Sequence, residues 1–249
     1  MHKFDTEEFV VIIPARYQSS RLPGKPLVSL CGIPMIVRTW RQCAKVVPTN
    51  LIFVATDDER IRATCAAEGI QVLMTSKDCL TGTDRVAEAA LAIDAKVYIN
   101  VQGDEPVFNP ADLEHIIDRT RANPHEILNG VCAISNEAEY RSRSIPKVVM
   151  RPDGELLYMS RGPIPANKAD RFDLAWRQIC AYAFPKNALA AFSASPSKTP
   201  LEQIEDIEIL RFLELGWKVR MIAMSDASVA VDSPEDVLVA EAAIRARGL

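Results

Sequence analysis

Histidine is scarce and cysteine is scattered in this 249-residue chain. Its six thiols, at positions 31, 43, 65, 79, 132 and 180, never form a CxxC pair. With only His2, His115 and His125 to accompany them, the clustered soft ligands of a zinc site are missing. They are expected to be reduced thiols, in the core or half-buried, in a cytoplasmic protein. The net charge is only −4, with both signs interspersed, so the basic excess of a nucleic-acid binder is absent. No apolar run approaches the ~18 residues that a bilayer crossing requires, which predicts no membrane span. The opening MHKFDTEE is polar and acidic and predicts no secretory signal. Neither a GxxxxGK loop followed by Ser or Thr nor a GxGxxG turn occurs, and there is no internal repeat, low-complexity tract or linker.

What is present is organised around residues 9–27, FVVIIPARYQSSRLPGKPL. Phe9 to Ile13 is short, apolar and rich in β-branched residues, and Pro14 follows, so it reads as a buried strand that stops there. The loop behind it spaces Arg16, Arg21 and Lys25 five and four residues apart, with Pro23-Gly24 setting a turn before the lysine. Forked guanidinium donors match phosphate oxygens and lysine adds a compact charge. The carboxyl end of a first strand is where open α/β sheets bind ligands. A solvated basic loop would share this charge, but the hydroxyl residues Ser19 and Ser20, the proline and the glycine shape it as a triphosphate cradle.

With 48% hydrophobic residues the chain can bury a sizeable core, and 1–249 is expected to form a single domain. The pattern predicts a helix after Pro34, a strand at 51–56, a helix over about 58–68 capped by Asp57 and ended by Gly69, and a strand at IQVLMT. A helix from Thr81 to about Leu91 and a strand at 97–102 follow. Repeated β-α-β units with short connectors mean an α/β fold on a Rossmann-like, mostly parallel sheet. Between about 127 and 184 come strand-like pieces with few helices, an antiparallel excursion. A helix over about 200–215 with a Leu201, Ile204, Ile207, Leu210, Leu213 stripe, a strand KVRMIAM, and a helix over 233–247 complete the pattern.

Two acids share one setting. Asp104 in NVQGDEP and Asp232 in VAVDSPED each follow an apolar strand-like run, where a carboxylate is exposed at the sheet edge and can hold a divalent cation. A turn acid or a helix cap explains either one alone. Thr81-Gly82-Thr83 opens a helix, so its free N–H groups and hydroxyls suit either a plain N-cap or a ligand.

The loop ARYQSSRLPGKPL resembles that of the 3-deoxy-manno-octulosonate cytidylyltransferases, and the likeness recurs along nearly the whole chain in VATDDERI, LTGTDRVAEAA, NVQGDEP, KVVMRPDGELLYMSRGPIP and TPLEQIEDIEILRFLELG. The resemblance implies the nucleotide-diphospho-sugar transferase fold and transfer of CMP from CTP to a sugar acid, with pyrophosphate released, for lipopolysaccharide or related polysaccharide synthesis. It implies Arg16, Arg21 and Lys25 as catalytic residues and Ala15, Thr81, Gly82 and Gln102 as nucleotide contacts. Asp104 and Asp232 would be ligands of Mg2+, and Arg161, Gln178, Tyr182 and Glu208 sugar contacts. A homodimer is also implied. Departures fall on the sugar side and at the base. Where the family reads HLGIYGY this chain has QICAYAF, so a histidine has become Gln178. The family's Glu-Gln pair is Glu208-Ile209, and Leu80 stands for a glutamine. Losing such polar contacts changes discrimination strongly. The expected substrate is therefore 3-deoxy-manno-octulosonate, with an 8-amino-octulosonate or a nonulosonate as alternative. Transfer to a sugar 1-phosphate from UTP, or an inactive nucleotide-binding protein, would be further readings.

Overall fold

The computed structural model describes residues 8–19, 21–195 and 197–249. Residues 1–7 of the opening from which no secretory signal was expected, His2 among them, and Ser20 of the loop lie outside the described residues. In chain order the first elements are β1 (Phe9–Ala15), a small hairpin of β2 (Ser29–Leu30) and β3 (Ile33–Pro34), α1 (Met35–Ala44), β4 (Ile52–Thr56) and α2 (Glu59–Ala67). Then come β5 (Gln71–Met74), α3 (Gly82–Ala89), β6 (Val97–Val101) and α4 (Pro110–Ala122). The second half holds β7 (Ile127–Ala133), α5 (Glu137–Arg141), β8 (Lys147–Met150), β9 (Leu156–Ser160), β10 (Trp176–Pro185) and α6 (Lys186–Ala194). It ends with α7 (Pro200–Glu205), α8 (Ile209–Glu214), β11 (Val219–Ala223) and α9 (Pro234–Arg247).

The main sheet runs β11-β7-β10-β6-β1-β4-β5, with β8 and β9 attached beside β10. β1 pairs in parallel with β4 and β6, and β7 pairs in parallel with β11. β10 pairs antiparallel with both β6 and β7, so along that path it runs against the other strands. This is the expected mostly parallel α/β fold with an antiparallel addition. β1 lies in its centre because every residue of FVVIIPA is buried, as a strand covered on both faces must be. Alternation divides it. Phe9, Val11 and Ile13 pack with Ile36, Ile61 and Ile116 from α1, α2 and α4. Val10 and Ile12 pack with Val86, Leu189 and Phe212 from α3, α6 and α8.

Three local expectations are corrected. Pro14 does not stop β1, which continues to Ala15 against Ala55 and Thr56. Pairing with β6 ends at Ile12, so the chain at Pro14 is paired on one side, where a missing N–H is tolerated. The cap of α2 is Asp58, whose carboxylate accepts from the Arg60 N–H at 2.9 Å, while Asp57 faces the buried Arg85 at 3.6 Å. The helix over 200–215 is two helices. Asp206 adopts a left-handed conformation at φ 51° and breaks it. The stripe fails with it: Ile207 and Leu210 are buried but Ile204 is 78% exposed.

Candidate active site

An open cleft of about 320 Å³ lies at the carboxyl ends of β1 and β6. One wall begins where β1 delivers Ala15 and Arg16. The loop then closes on itself, the Gly24 N–H donating to the Tyr17 carbonyl at 3.1 Å. Gly24 sits at φ 68°, a left-handed conformation that favours glycine, and a Cβ there would also stand 3.1 Å from the Tyr17 ring. The turn carries Lys25 inward. Its Nζ donates to Asp104 Oδ2 at 2.6 Å and Asp232 Oδ1 at 2.9 Å, and Arg21 lies 3.2 Å from the other oxygen of Asp232.

Local sequence explains why the two acids meet. Gly103 lets the chain leaving β6 run close beside the end of β1, since a Cβ there would stand 2.8 Å from the Pro14 carbonyl. The Val231 N–H donates to the Asp104 carbonyl at 3.0 Å, which ties the segment before α9 to the end of β6. Ser233 and Asp236 form a capping box at the start of α9, and Asp236 also accepts from the Asp232 N–H at 3.0 Å. The cap is therefore Ser233, and Asp232 is left for the cleft. Burial alone would lower the Lys25 pKa, but Asp104 and Asp232 more than offset it and hold the ammonium charged. Burial likewise pushes Asp232 up, and Lys25 and Arg21 reverse it to a net fall. Two carboxylate oxygens converging on one cation fit a magnesium ion that takes its other ligands from phosphate and water. No group of three or more His, Cys, Asp or Glu capable of holding a metal occurs among the described residues.

A second part of the lining is built on the start of α3. Thr81 caps the helix, accepting from the Asp84 N–H at 3.1 Å. Gly82 lies against the Gln102 amide so closely that a Cβ would stand 2.7 Å from its nitrogen. The Thr83 N–H, free at a helix start, donates to Glu208 Oε2 at 2.6 Å. Burial raises the Glu208 pKa above the usual carboxylate range, and the Thr83 bonds oppose it. Leu80 also lines the cleft.

Cys180, Tyr182, Arg161, Lys198, Asp206 and Glu208 also line the cleft. β10 is bulged between Ile179 and Tyr182, and Cys180 and Tyr182, two apart on the strand, both reach the cleft. Burial pushes the Tyr182 phenol well above its usual range, with the Cys180 thiol beside it adding to the rise. Arg161 lines the cleft, yet its guanidinium caps the break between α7 and α8: Nε donates to the Glu205 carbonyl at 2.6 Å and Nη2 to that of Asp206 at 2.9 Å. Its Nη1 donates to the carbonyls of Arg143 and Ser144 at 3.1 and 3.4 Å. The two-pronged grip on a carboxylate expected of it is not free in this arrangement.

Thus Arg16, Arg21, Lys25, Ala15, Thr81, Gly82, Gln102, Asp104, Asp232, Arg161, Tyr182 and Glu208 come together around one cleft. Gln178 does not. It is 8% exposed and donates to Asn129 Oδ1 at 2.9 Å, outside the residues that line the cleft. Ile209 is 1% exposed in the core beside Leu210 and Phe212. Sequence reasoning passed over Cys180, Lys198 and Asp206. The spacing of Cys180 from Tyr182 could have revealed the first. Nothing marked the other two, because the break at Asp206 carries no glycine.

Three cations and two carboxylates at the carboxyl edge of a Rossmann-like sheet, Asp104 just past β6 and Asp232 on an irregular segment before α9 where no strand forms, are the arrangement of a nucleotidyltransferase. A family model for cytidylyltransferase matches residues 10–221, and the chain belongs to that family. A 3-deoxy-manno-octulosonate cytidylyltransferase of Myxococcus xanthus is 40% identical over 96% of this chain and 97% of its own length. The Escherichia coli protein of the same name is 36% identical over 90% of this chain and 91% of its own length. A solved CMP:2-keto-3-deoxy-manno-octonic acid synthetase in complex with CTP superposes with a TM-score of 0.88 at 36% identity, covering 97% of this chain and all (100%) of that one.

Proposed function

We propose that the cleft transfers CMP from CTP to the anomeric hydroxyl of a 3-deoxy-2-ulosonic acid, with 3-deoxy-manno-octulosonate as the substrate, in polysaccharide synthesis. The observation that carries this is Lys25 poised between Asp104 and Asp232, beside Arg21, at the end of the strand that supplies Arg16. The names of the full-length relatives supply the sugar.

The anomeric oxygen attacks the α-phosphorus in line, the bond to the β-phosphate oxygen breaks, and the hydroxyl proton leaves to water. Arg16, Arg21 and Lys25 hold the phosphates and stabilise the charge that builds on departing pyrophosphate. This is catalysis by positioning and charge neutralisation. Asp104 and Asp232 would hold Mg2+, which when bound supplies further neutralisation of charge at the phosphates. Ala15, Thr81, Gly82 and Gln102 receive the nucleotide. Tyr182 and Glu208 meet the sugar, and Arg161 keeps that wall in shape.

The chain acts as a single domain, in keeping with one sheet that spans Gln71–Met74 at one edge and Val219–Ala223 at the other. Six free cysteines suit a reducing cytoplasm, and no helix among the described residues is long and apolar enough to cross a membrane. A homodimer, expected from the family, is tested by sedimentation.

The deciding experiment is pyrophosphate release with CTP, magnesium and 3-deoxy-manno-octulosonate, with 8-amino-octulosonate and a nonulosonate in parallel. Release with the first supports the proposal. Release only with another acid replaces the sugar, and silence with all of them overturns the reaction.

A further inference from the structure

The sugar-side wall needs a cation for an anionic sugar, and Arg161 is engaged. Of its five N–H groups four donate to backbone carbonyls, which leaves one on Nη2. Lys198 stands beside it with a side chain 19% exposed, and its Nζ donates to Asp206 Oδ1 at 2.5 Å. An ammonium has three N–H groups, and this is the hydrogen bond found for it among the described residues. Both Lys198 and Asp206 line the cleft. Asp206 occupies the left-handed turn where the helix breaks, its side chain 71% exposed, so its backbone rather than its carboxylate makes the break. The hydrogen bond from Lys198 lowers the Asp206 pKa, and the charges of Arg161 and Arg16 add to it over opposing burial. Arg16 belongs to the phosphate loop, so Asp206 lies within the field of both walls.

We infer that Lys198 binds the carboxylate of the sugar acid, and that Asp206 is its resident counter-ion, exchanged for that carboxylate when the substrate enters. This rests on the proposed transfer to a sugar acid. The exchange replaces one carboxylate by another at the same ammonium. The anion stays paired, and the wall held by Arg161 need not move. Asp206 thereby competes with substrate, and Lys198 discriminates acids from neutral sugars.

The test measures separate KM values for CTP and for the sugar acid in wild type, Lys198→Met, Lys198→Arg and Asp206→Asn. Lys198→Met should raise the sugar KM by about ten- to a hundredfold with the CTP KM unmoved, the effect of losing a charge-assisted bond. Lys198→Arg keeps the charge and should restore most of the affinity. Asp206→Asn, with a residue that tolerates the left-handed turn, should lower the sugar KM by about two- to fivefold, as expected for removal of an exposed competitor. An unchanged sugar KM in Lys198→Met, equal changes in both KM values, or a raised sugar KM in Asp206→Asn overturns the inference. If Lys198→Met does not fold, Asp206→Asn still decides it, since a sugar KM that is not lowered there overturns the inference. Wild type that releases no pyrophosphate with any acid overturns the proposed reaction instead.

Discussion

The two walls of the cleft satisfy their charges in different ways. On the phosphate side, side chain meets side chain: Lys25 with Asp104 and Asp232, and Arg21 with Asp232. On the sugar side, side chain mostly meets backbone: Arg161 with four carbonyls, Glu208 with the Thr83 N–H, and the buried Lys147 with the carbonyls of Ser142, Ile145 and Arg161. Ion pairs between side chains can be traded for ligand charges without disturbing the fold. Bonds to backbone are the fold. The first wall therefore offers side-chain charges that a ligand can engage, whereas the second is a frame fixed largely through backbone bonds.

The comparison breaks most sharply at Lys25. Lys25→Met should cost about 2 to 4 kcal/mol in the transition state, roughly 30- to 1000-fold in kcat, measured by pyrophosphate release. Near-wild-type turnover would remove the phosphate wall from the chemistry. Arg161→Met should act through structure. Losing four bonds from a charged donor to carbonyls that are exposed or only half-buried should cost about 1 kcal/mol of unfolding free energy in urea, with the sugar KM raised and the CTP KM little changed. An unaltered urea midpoint would show that the frame does not depend on this residue.

Gly82→Ala tests the base side. Its Cβ would displace the Gln102 amide at a cost of about 1 kcal/mol, so the CTP KM should rise about fivefold while the sugar KM stays. The acid limb of stability sharpens the picture of traded ion pairs. Asp232 titrates below its ordinary value of 3.8 in the folded protein, so its contribution is present above that value and is lost as pH falls through the folded pKa. Wild type should lose stability over that interval in urea titrations, and Asp232→Asn should lose less. The smallest effect is expected at Gln178. Gln178→His should cost about 1 kcal/mol of stability through the lost bond to Asn129 and leave the sugar KM unchanged. A changed sugar preference would show that this residue reaches the substrate.

The phosphate wall was legible in sequence because its parts are local. An apolar strand, a loop with three spaced cations, and two acids each placed just past an apolar run can be seen without knowing the fold. The sugar wall was legible only as a likeness, and there the inference from departures misled. Gln178 and Ile209 looked like altered sugar contacts, but the first bonds to Asn129 and the second packs in the core. A one-dimensional pattern cannot say which face a residue presents after a bulge such as that at Ile179–Tyr182, or after a helix break at a non-glycine residue. The cap at Asp58 in place of Asp57 is the same problem at smaller scale, since adjacent aspartates differ only in which one the turn of the chain presents to the helix.

By itself the sequence determined the α/β class, the buried strand, the loop with its three cations and the pair of acids, since periodicity and turn chemistry act over a few residues. Tertiary structure alone decided that Lys25 bridges Asp104 and Asp232, that Arg161 is held by backbone carbonyls, and that Lys198 and Asp206 line the cleft. Those arrangements join segments as far apart as residues 25 and 232, and such contacts are set by how the sheet closes and where strands bulge, which no local pattern records.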